Sequence, residues 1–244
     1  MATIGQPTTF NELWSDLLVR MRADTTASGA AETIARRYLN IALHDVHIQQ
    51  NWPWAERTAT LITRPPYATG TVSIASATRT TLEGNNTRWG LQLSGFGVTV
   101  ATTGGKVYLT TGTANEVYTI SSVDSDTQMT LLSRFTGSPS VASIYALAYA
   151  GYTSYQDEYA LASDFFRLVD ARQFSDVLAI QALGSQDFYR RFPRNATRSG
   201  APTHATIIEL GPSGSTDRRP RVLFHPYPDT TYSIPYRYIT RNLA

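Results

Sequence analysis

Apolar positions near the start of the chain recur with the period of an α-helix. The capping pair Thr9 and Glu12 precedes this stripe, and hydroxyl and carboxylate groups at that spacing satisfy the first amides of a helix. The pattern predicts a first helix that ends near Asp24 and buries its apolar face. The residues on that face are Phe10, Leu13, Trp14, Leu17, Leu18 and Met21.

A second helical pattern covers about residues 30–50. Its apolar face carries Ile34, Tyr38 and Ile41, with alanines that allow close approach of a neighbour. The segment 52–54, Trp-Pro-Trp, ends it, because proline disfavours helix at the residue before it. The two segments predict an N-terminal α-helical hairpin. The tryptophans either cover its core or anchor an interface.

Residues 67–150 lose the helical period, and Gly, Ser and Thr become frequent. Short apolar or alternating segments follow one another between turn residues, and residues 124–127 are typical of a hairpin turn. This pattern predicts a small all-β barrel or sandwich module. The predicted strands are 70–74, 79–82, 97–101, 106–109, 116–123, 128–132 and 144–149.

The last third of the chain mixes short helical and extended patterns. A helical turn is expected at Ser163 or Asp164, and a short helix is expected from Ser185 until Pro193 ends it. The segment 174–183 fits either a strand or a helix.

Three strands are predicted to close the chain as a β meander. The first follows Gly200, the second covers 221–224 and the third covers 231–239. Because Pro235 has no amide to donate, the third strand is expected to be at an edge or interrupted there.

Together these elements predict an α+β fold in two domains. Residues 1–66 and 151–244 form a discontinuous framework, which consists of the N-terminal α-helical hairpin, the C-terminal short helices and the β meander. Residues 67–150 form an inserted all-β barrel or sandwich, which is plausible where the two ends of a module lie close together.

Composition adds little chemistry but reveals a charge asymmetry. The 244 residues include no cysteine, which excludes disulfides and thiolate metal sites. From residue 190 onward there are nine arginines and three acids, whereas the preceding residues carry twelve basic and sixteen acidic groups. Arg190, Arg191, Arg194 and Arg198 form either a basic patch that docks an acidic partner or a DNA backbone, or a solvated loop.

No motif marks an active site. His44 and His47 lie at a spacing that can share a metal, but more ligands are needed and only two further histidines exist. The run that starts at Asp124 lacks the glycine and the glutamate of a calcium loop. We therefore expect no enzyme activity, no cofactor, no metal, no signal peptide and no membrane span.

Four features resemble the head-to-tail adaptor (connector) proteins of tailed phages. They are a Gly-x-Pro at 200–202 before a strand, a Pro-x-Pro-Asp at 226–229 between two strands, a final Tyr-x-Tyr at 236–238, and the N-terminal helix pair. The segment YALASDF at 159–165 is similar to the family's Tyr-x-Leu-Pro-x-Asp-Phe, with Ala162 in place of the proline. Parts of 84–131 also resemble small β modules of phage tail-associated proteins.

The resemblance implies a structural protein of the virion, located in its tail or neck and assembled in the host cytoplasm. Such a subunit forms a ring of twelve copies below the portal protein, extends the DNA channel and docks a tail nozzle or tube protein. Genome DNA passes through the channel without sequence recognition, and a tail fibre or spike would bind residues 67–150. The family uses its C-terminal segment to engage the portal. That role falls here on Tyr236, Arg237, Tyr238, Ile239 and Arg241, in a segment expected to lack order from Ile239 onward.

Two alternatives remain open. In the first, the chain is a tail-fibre attachment or baseplate-type binding protein, and residues 67–150 are its functional part. In the second, it is a peptidoglycan-degrading tail enzyme, for which no site is visible. Oligomeric mass and portal binding distinguish the first alternative from an adaptor.

Overall fold

The structure is a computed structural model of the whole chain. The residues that it describes are 12, 13, 16, 19, 30–49, 52–75, 78–93, 98–111, 114–135, 146–149, 151–175, 177–193, 198–208 and 219–241.

The expected α+β fold with an N-terminal helical hairpin is wrong, because the protein is mostly β, with 46% strand and 18% helix. Two α-helices have bounds in the described residues: α1, Ala30–Gln49, and α2, Ser185–Arg191. The physical reason is that strands of three to eight residues, most of them too short to show a clear period, supply the framework that the helices were expected to supply.

The chain divides into two compact units, residues 1–56 with 242–244, and residues 57–241. In the first unit, α1 is followed by the 3₁₀ turn Pro53–Ala55, and the indole of Trp52 donates a hydrogen bond to the carbonyl of Val46 at 2.7 Å. Leu13, which was predicted to be buried, lies in a helical segment and is 36% exposed. The expected burial of Phe10, Trp14 and Leu17 lies outside the described residues.

A seven-stranded sheet in the second unit forms a half-barrel. Its order is β10-β6-β7-β8-β3-β2-β9, all neighbours are antiparallel, and β10 also lies against β2 so that the sheet curls back on itself. Strands β4 and β5 form a separate two-stranded sheet and lie between β3 and β6 along the chain. The bounds are β2 Thr71–Ala75, β3 Thr81–Asn85, β4 Gln92–Leu93, β5 Val98–Thr99, β6 Lys106–Thr111, β7 Ala114–Ser125, β8 Gln128–Leu131, β9 Ala146–Tyr149 and β10 Gly151–Tyr155.

The half-barrel core is largely apolar and contains a tryptophan, Trp89. Trp89 is fully buried, and its indole donates to the hydroxyl of Tyr152, which donates in turn to the carbonyl of Thr69. The turn at Asp126 accepts hydrogen bonds from Thr87 and from the amide of Gly90. These bonds attach the loop after β3 to the β7–β8 hairpin, so the two segments that resemble phage β modules form one structure.

The remaining strands build a second core, here called the C-terminal core. A three-stranded sheet, β1-β17-β12, and a five-stranded sheet, β11-β16-β15-β14-β13, contribute side chains to one buried cluster. Within the larger sheet only β14 and β15 are parallel. The bounds are β1 Glu56–Ile62, β11 Glu158–Ala160, β12 Phe165–Leu168, β13 Gln173–Ser175, β14 Ile180–Ala182, β15 His204–Ile208, β16 Arg221–His225 and β17 Ser233–Thr240.

The predicted three-strand meander is wrong. β15 and β16 pair as expected, but β17 leaves them and becomes the central strand of the smaller sheet. Pro235 does not end β17, and β17 is not an edge strand, since it lies between β1 and β12. The proline is tolerated because β12 pairs only with the part of β17 from Tyr238 to Thr240. The turn expected at Ser163 or Asp164 leads into β12, and 174–183 contains the β13–β14 hairpin.

The predicted domain boundaries before residue 67 and after residue 150 stay a prediction. Both fall inside the second compact unit. The half-barrel extends past the second boundary, because β10 pairs with β6 along its whole length and Tyr152 belongs to the half-barrel core.

Candidate interaction surfaces

The segment predicted to dock the portal is mostly internal. Tyr236, Tyr238 and Ile239 are buried at 4%, 5% and 0% exposure in the C-terminal core, so they are not free for a partner in this structure. Arg237 and Arg241 are exposed. The expectation of disorder from Ile239 onward is wrong for Ile239 and Thr240, which are strand residues; residues 242–244 lie outside the described residues.

Asp164 joins the start of β12 to the end of β17. Its carboxylate accepts hydrogen bonds from Tyr238 at 2.8 Å and Thr240 at 2.7 Å, and its carbonyl accepts from the amide of Arg241 at 2.6 Å. Burial acts to raise the pKa of Asp164, but these side-chain hydrogen bonds outweigh burial and hold it below its ordinary value. Burial and the bond to Asp164 raise the pKa of Tyr238 to about 12. The 159–165 motif therefore has a structural role here.

Helix α1 exposes an apolar stripe, defined as Ile34, Tyr38 and Ile41. Positions i, i+4 and i+7 share one face of a helix, and these side chains are 46%, 61% and 48% exposed. Ala35 is the buried residue on α1 among the side chains described there. A stripe of this kind is costly to leave in water and is typical of a contact surface.

The predicted basic patch is partly assembled around two histidines. Arg190 and Arg191 lie exposed in the last turn of α2, Arg198 is exposed on the following segment, and Arg194 lies outside the described residues. His204 and His225 are direct cross-strand partners on β15 and β16.

The ring of Phe192 covers this histidine pair. It stacks on His225 with ring centroids 3.9 Å apart and lies 4.9 Å from His204. We call Arg191, Arg198, His204, His225 and Phe192 the arginine–histidine face. The structure thus places His204 and His225 beside the arginines of the predicted basic patch, whereas the sequence suggested them only as metal ligands.

Both histidines of this face have a pKa below the ordinary value. Burial lowers the pKa of His204, and Arg191 lowers it further. Burial also lowers the pKa of His225, followed by the charges of His204 and Arg198. The face is therefore cationic through its arginines at neutral pH and gains charge on acidification.

A buried polar junction connects the half-barrel to the C-terminal core. Lys106 of β6 forms ion pairs with Asp157 at 2.5 Å and Glu158 at 3.5 Å, and all three side chains are largely buried. Arg64 donates to the carbonyl of Thr99 at 2.8 Å and to the side chain of Gln156. One oxygen of Asp157 has no hydrogen-bond partner among the described atoms.

Burial raises the pKa of Asp157 although Lys106 acts to lower it. The carboxylate of Asp157 is buried, and one of its oxygens accepts no hydrogen bond from the described part of the chain. It therefore depends on the charge of Lys106 to stay ionised. Sequence reasoning missed this junction. The available signals were Lys106, the chain's single lysine, at the start of a predicted strand, and the run of polar residues at 156–158.

In the described part of the chain, no three His, Asp or Glu side chains are grouped closely enough to hold a metal ion. His44 lies exposed beside Asp45, and the side chain of His47 is not described. Neither α1 nor α2, the helices described over their full length, has the size and apolar character needed to cross a bilayer.

No protein-family model, curated protein or solved structure matches this chain. A function therefore has to be argued from the sequence motifs and from the surfaces described above.

Proposed function

We propose that the chain is a structural subunit of a tailed-phage virion, a head-to-tail adaptor. Copies of the chain assemble into a ring below the portal protein, extend the DNA channel and present a docking face to tail components. The contact chemistry of such a subunit is burial of surface between copies, and ring contacts are heterologous ones that close by rotation.

The observation that carries this proposal is the apolar stripe on α1. A 20-residue helix is about 30 Å long. Three large apolar side chains on one face of it, about half exposed in a single chain, favour a partner that covers them. In the resembling family the helices build the ring wall, so we assign the stripe to a second copy of this chain.

The motifs that resemble the family support the proposal in a second way. Tyr159, Leu161 and Phe165 of the upstream motif pack in one core with Tyr236 and Tyr238 of the downstream motif. Motifs about 75 residues apart in the sequence thus pack in one core. Short motifs that matched the family by chance would have no reason to lie together.

Portal contact in this proposal is assigned to the exposed arginines of the last strand. Arg237 and Arg241 remain at the surface, whereas the tyrosines beside them support the strand from within. Guanidinium groups form bidentate bonds with carboxylates, which suits an acidic portal surface.

The test mixes the purified full-length chain with the portal protein of the same phage and measures the mass of the complexes. We expect several copies of the chain on each portal ring. Tyr38→Asp introduces a charge at the centre of the stripe and is expected to abolish ring assembly without lowering the melting temperature. Val177→Asp is the matched control, because Val177 is 72% exposed on the other compact unit and the change likewise puts an aspartate in place of an exposed large hydrophobic side chain.

Normal assembly of Tyr38→Asp on portal would contradict the role of the stripe. A stable trimer in the absence of portal, or binding to a tail fibre without portal, would instead favour the fibre-attachment alternative. In that case the half-barrel, which buries a core of its own, is the part to examine.

A further inference from the structure

We propose that the arginine–histidine face binds the phosphate backbone of double-stranded DNA and that protonation of its histidines strengthens the binding. The inference rests on the proposed function only for the origin of the DNA. The surface itself is argued from the geometry of the single chain.

Two exposed arginines and a cross-strand histidine pair make up the charged part of this face. His204 and His225 are opposite each other in an antiparallel ladder, which brings their Cβ atoms to about 5 Å. Arg191 directly precedes Phe192, whose ring contacts both histidines. The charges of Arg191 and Arg198 also lower the pKa of His204 and of His225, respectively.

The histidine rings are held in place. Phe192 stacks on His225, the edge of Phe188 meets the same ring, and the Nδ1 atom of His204 is 2.8 Å from the hydroxyl of Thr203. Fixed rings lose little side-chain entropy when a ligand binds.

The chemistry of the face fits phosphate better than a protein partner. Protein interfaces have an apolar, aromatic-rich centre, whereas DNA interfaces are polar and strongly basic. None of the large apolar side chains exposed in the described residues belongs to this face. Arginine pairs with phosphate in a bidentate manner, and the phosphate contacts position a protein without any sequence recognition.

Acidic groups near the histidines do not offset this charge. The charged side chains of α2 are Asp187 in its first turn and Arg190 and Arg191 in its last turn. Asp187 is not among the charges that shift either histidine, and β14, which neighbours β15, carries no charged residue in Ile180–Ala182. On β11, which neighbours β16, the carboxylate of Glu158 is paired with Lys106. A phosphate near the histidines therefore stabilises their protonated form, and binding takes up protons.

The experiment measures binding of a fluorescent DNA duplex of mixed sequence to the full-length chain by anisotropy, over a range of salt concentrations. Arg191→Gln with Arg198→Gln is expected to weaken binding about tenfold or more and to lower the salt slope by about 2. Both side chains are exposed, so the variant is expected to fold normally. The matched control is Arg88→Gln with Arg134→Gln, two exposed arginines of the half-barrel segment, and we expect less than about a twofold change from it.

Protonation is tested by repeating the titration at about pH 5.5 and about pH 7.5. Wild type is expected to bind more tightly at the lower pH, and His204→Gln with His225→Gln is expected to lose most of that difference. A polyglutamate peptide is expected to compete no better than added salt.

Four outcomes would overturn the inference: no DNA binding by wild type, equal weakening by both arginine pairs, wild-type binding that is no tighter at the lower pH, or tighter binding of polyglutamate than of DNA. The last result would assign the face to an acidic protein. Because these titrations need neither portal nor ring, they are independent of the assembly test for the adaptor role.

Discussion

The two compact units of this chain treat apolar surface in opposite ways. The unit that spans residues 57–241 buries its large side chains in two cores, and Trp89, Phe165 and Phe174 are at most 2% exposed. The unit that contains α1 exposes Ile34, Tyr38 and Ile41. Hydrophobic burial is the main favourable term in folding and in association alike. The unit of residues 57–241 therefore buries its large apolar side chains within one chain, whereas the exposed stripe on α1 leaves the free energy of burial available for assembly.

This difference predicts two classes of substitution. Changes in the cores or at the junction between them lower the free energy of unfolding. Changes in the stripe leave the free energy of unfolding almost unchanged and weaken assembly.

The largest loss of stability is expected from Trp89→Ala. The side chain is fully buried in the half-barrel core, so its removal leaves a cavity and takes away the indole that donates a hydrogen bond to the hydroxyl of Tyr152. We expect a loss of about 3 to 5 kcal/mol in a urea titration. The control is Leu91→Ala, two residues away and 45% exposed, for which we expect little change. Equal losses from both variants would show that Trp89 does not organise this core.

The next largest loss is expected from Lys106→Met at the junction. It removes the cation that pairs with Asp157, and a buried unpaired charge costs about 3 kcal/mol or more. Burial then raises the folded-state pKa of Asp157 further above its unfolded value. An acid whose folded-state pKa is raised destabilises the folded protein most when the pH exceeds both its unfolded and its folded pKa. The loss of unfolding free energy in Lys106→Met is therefore expected to grow as the pH rises from the unfolded pKa of Asp157 to its folded pKa.

Adding Asp157→Asn to Lys106→Met removes the buried charge and is expected to recover part of the loss. Urea titrations of both variants at mildly acidic and at neutral pH measure this. A double variant that is no more stable than Lys106→Met would show that the ion pair is not what couples the two cores.

A smaller loss, about 2 kcal/mol, is expected from Asp164→Ala, which removes the acceptor of the Tyr238 and Thr240 hydroxyls. The folded-state pKa of Asp164 lies below its unfolded value. Its contribution is therefore present above the unfolded pKa and is lost as the pH falls through the folded one. Thermal melts of wild type are expected to show this acid dependence, and the Asp164→Ala variant is expected to show less of it. An identical acid dependence in both proteins would contradict the assignment.

The smallest effect on stability is expected from Tyr38→Asp. Its side chain is 61% exposed, so we expect the free energy of unfolding to stay within about 0.5 kcal/mol of wild type. A clear fall in melting temperature would break the comparison, because it would show that the stripe stabilises the single chain.

The half-barrel was the more predictable of the two cores. The pairs β2–β3, β6–β7 and β7–β8 are neighbours in sequence as well as in the sheet. Segments such as β6, β7 and β8 are also long enough, or alternate clearly enough, to be recognised. Helices α1 and α2 also follow from local period and from proline positions.

The C-terminal core was not predictable in the same way. β1 and β12 are about 100 residues apart, yet β17 lies between them, and β11 to β14 have only three or four residues each. Pairing at that distance in sequence leaves no local signal. The tyrosines of β17 resemble interface anchors in composition, and only their contacts with Phe165, Phe174 and Asp164 show that they belong to the interior.

The central claim is that assembly buries the α1 stripe and leaves the cores of the other unit as they are. Hydrogen–deuterium exchange of the free chain and of the portal-bound complex tests it most directly. We predict strong additional protection of peptides that cover residues 33–46 and unchanged exchange in β6, β7 and β8. Unchanged exchange across residues 33–46 in a complex that does form, or the absence of any complex with portal, would contradict the account.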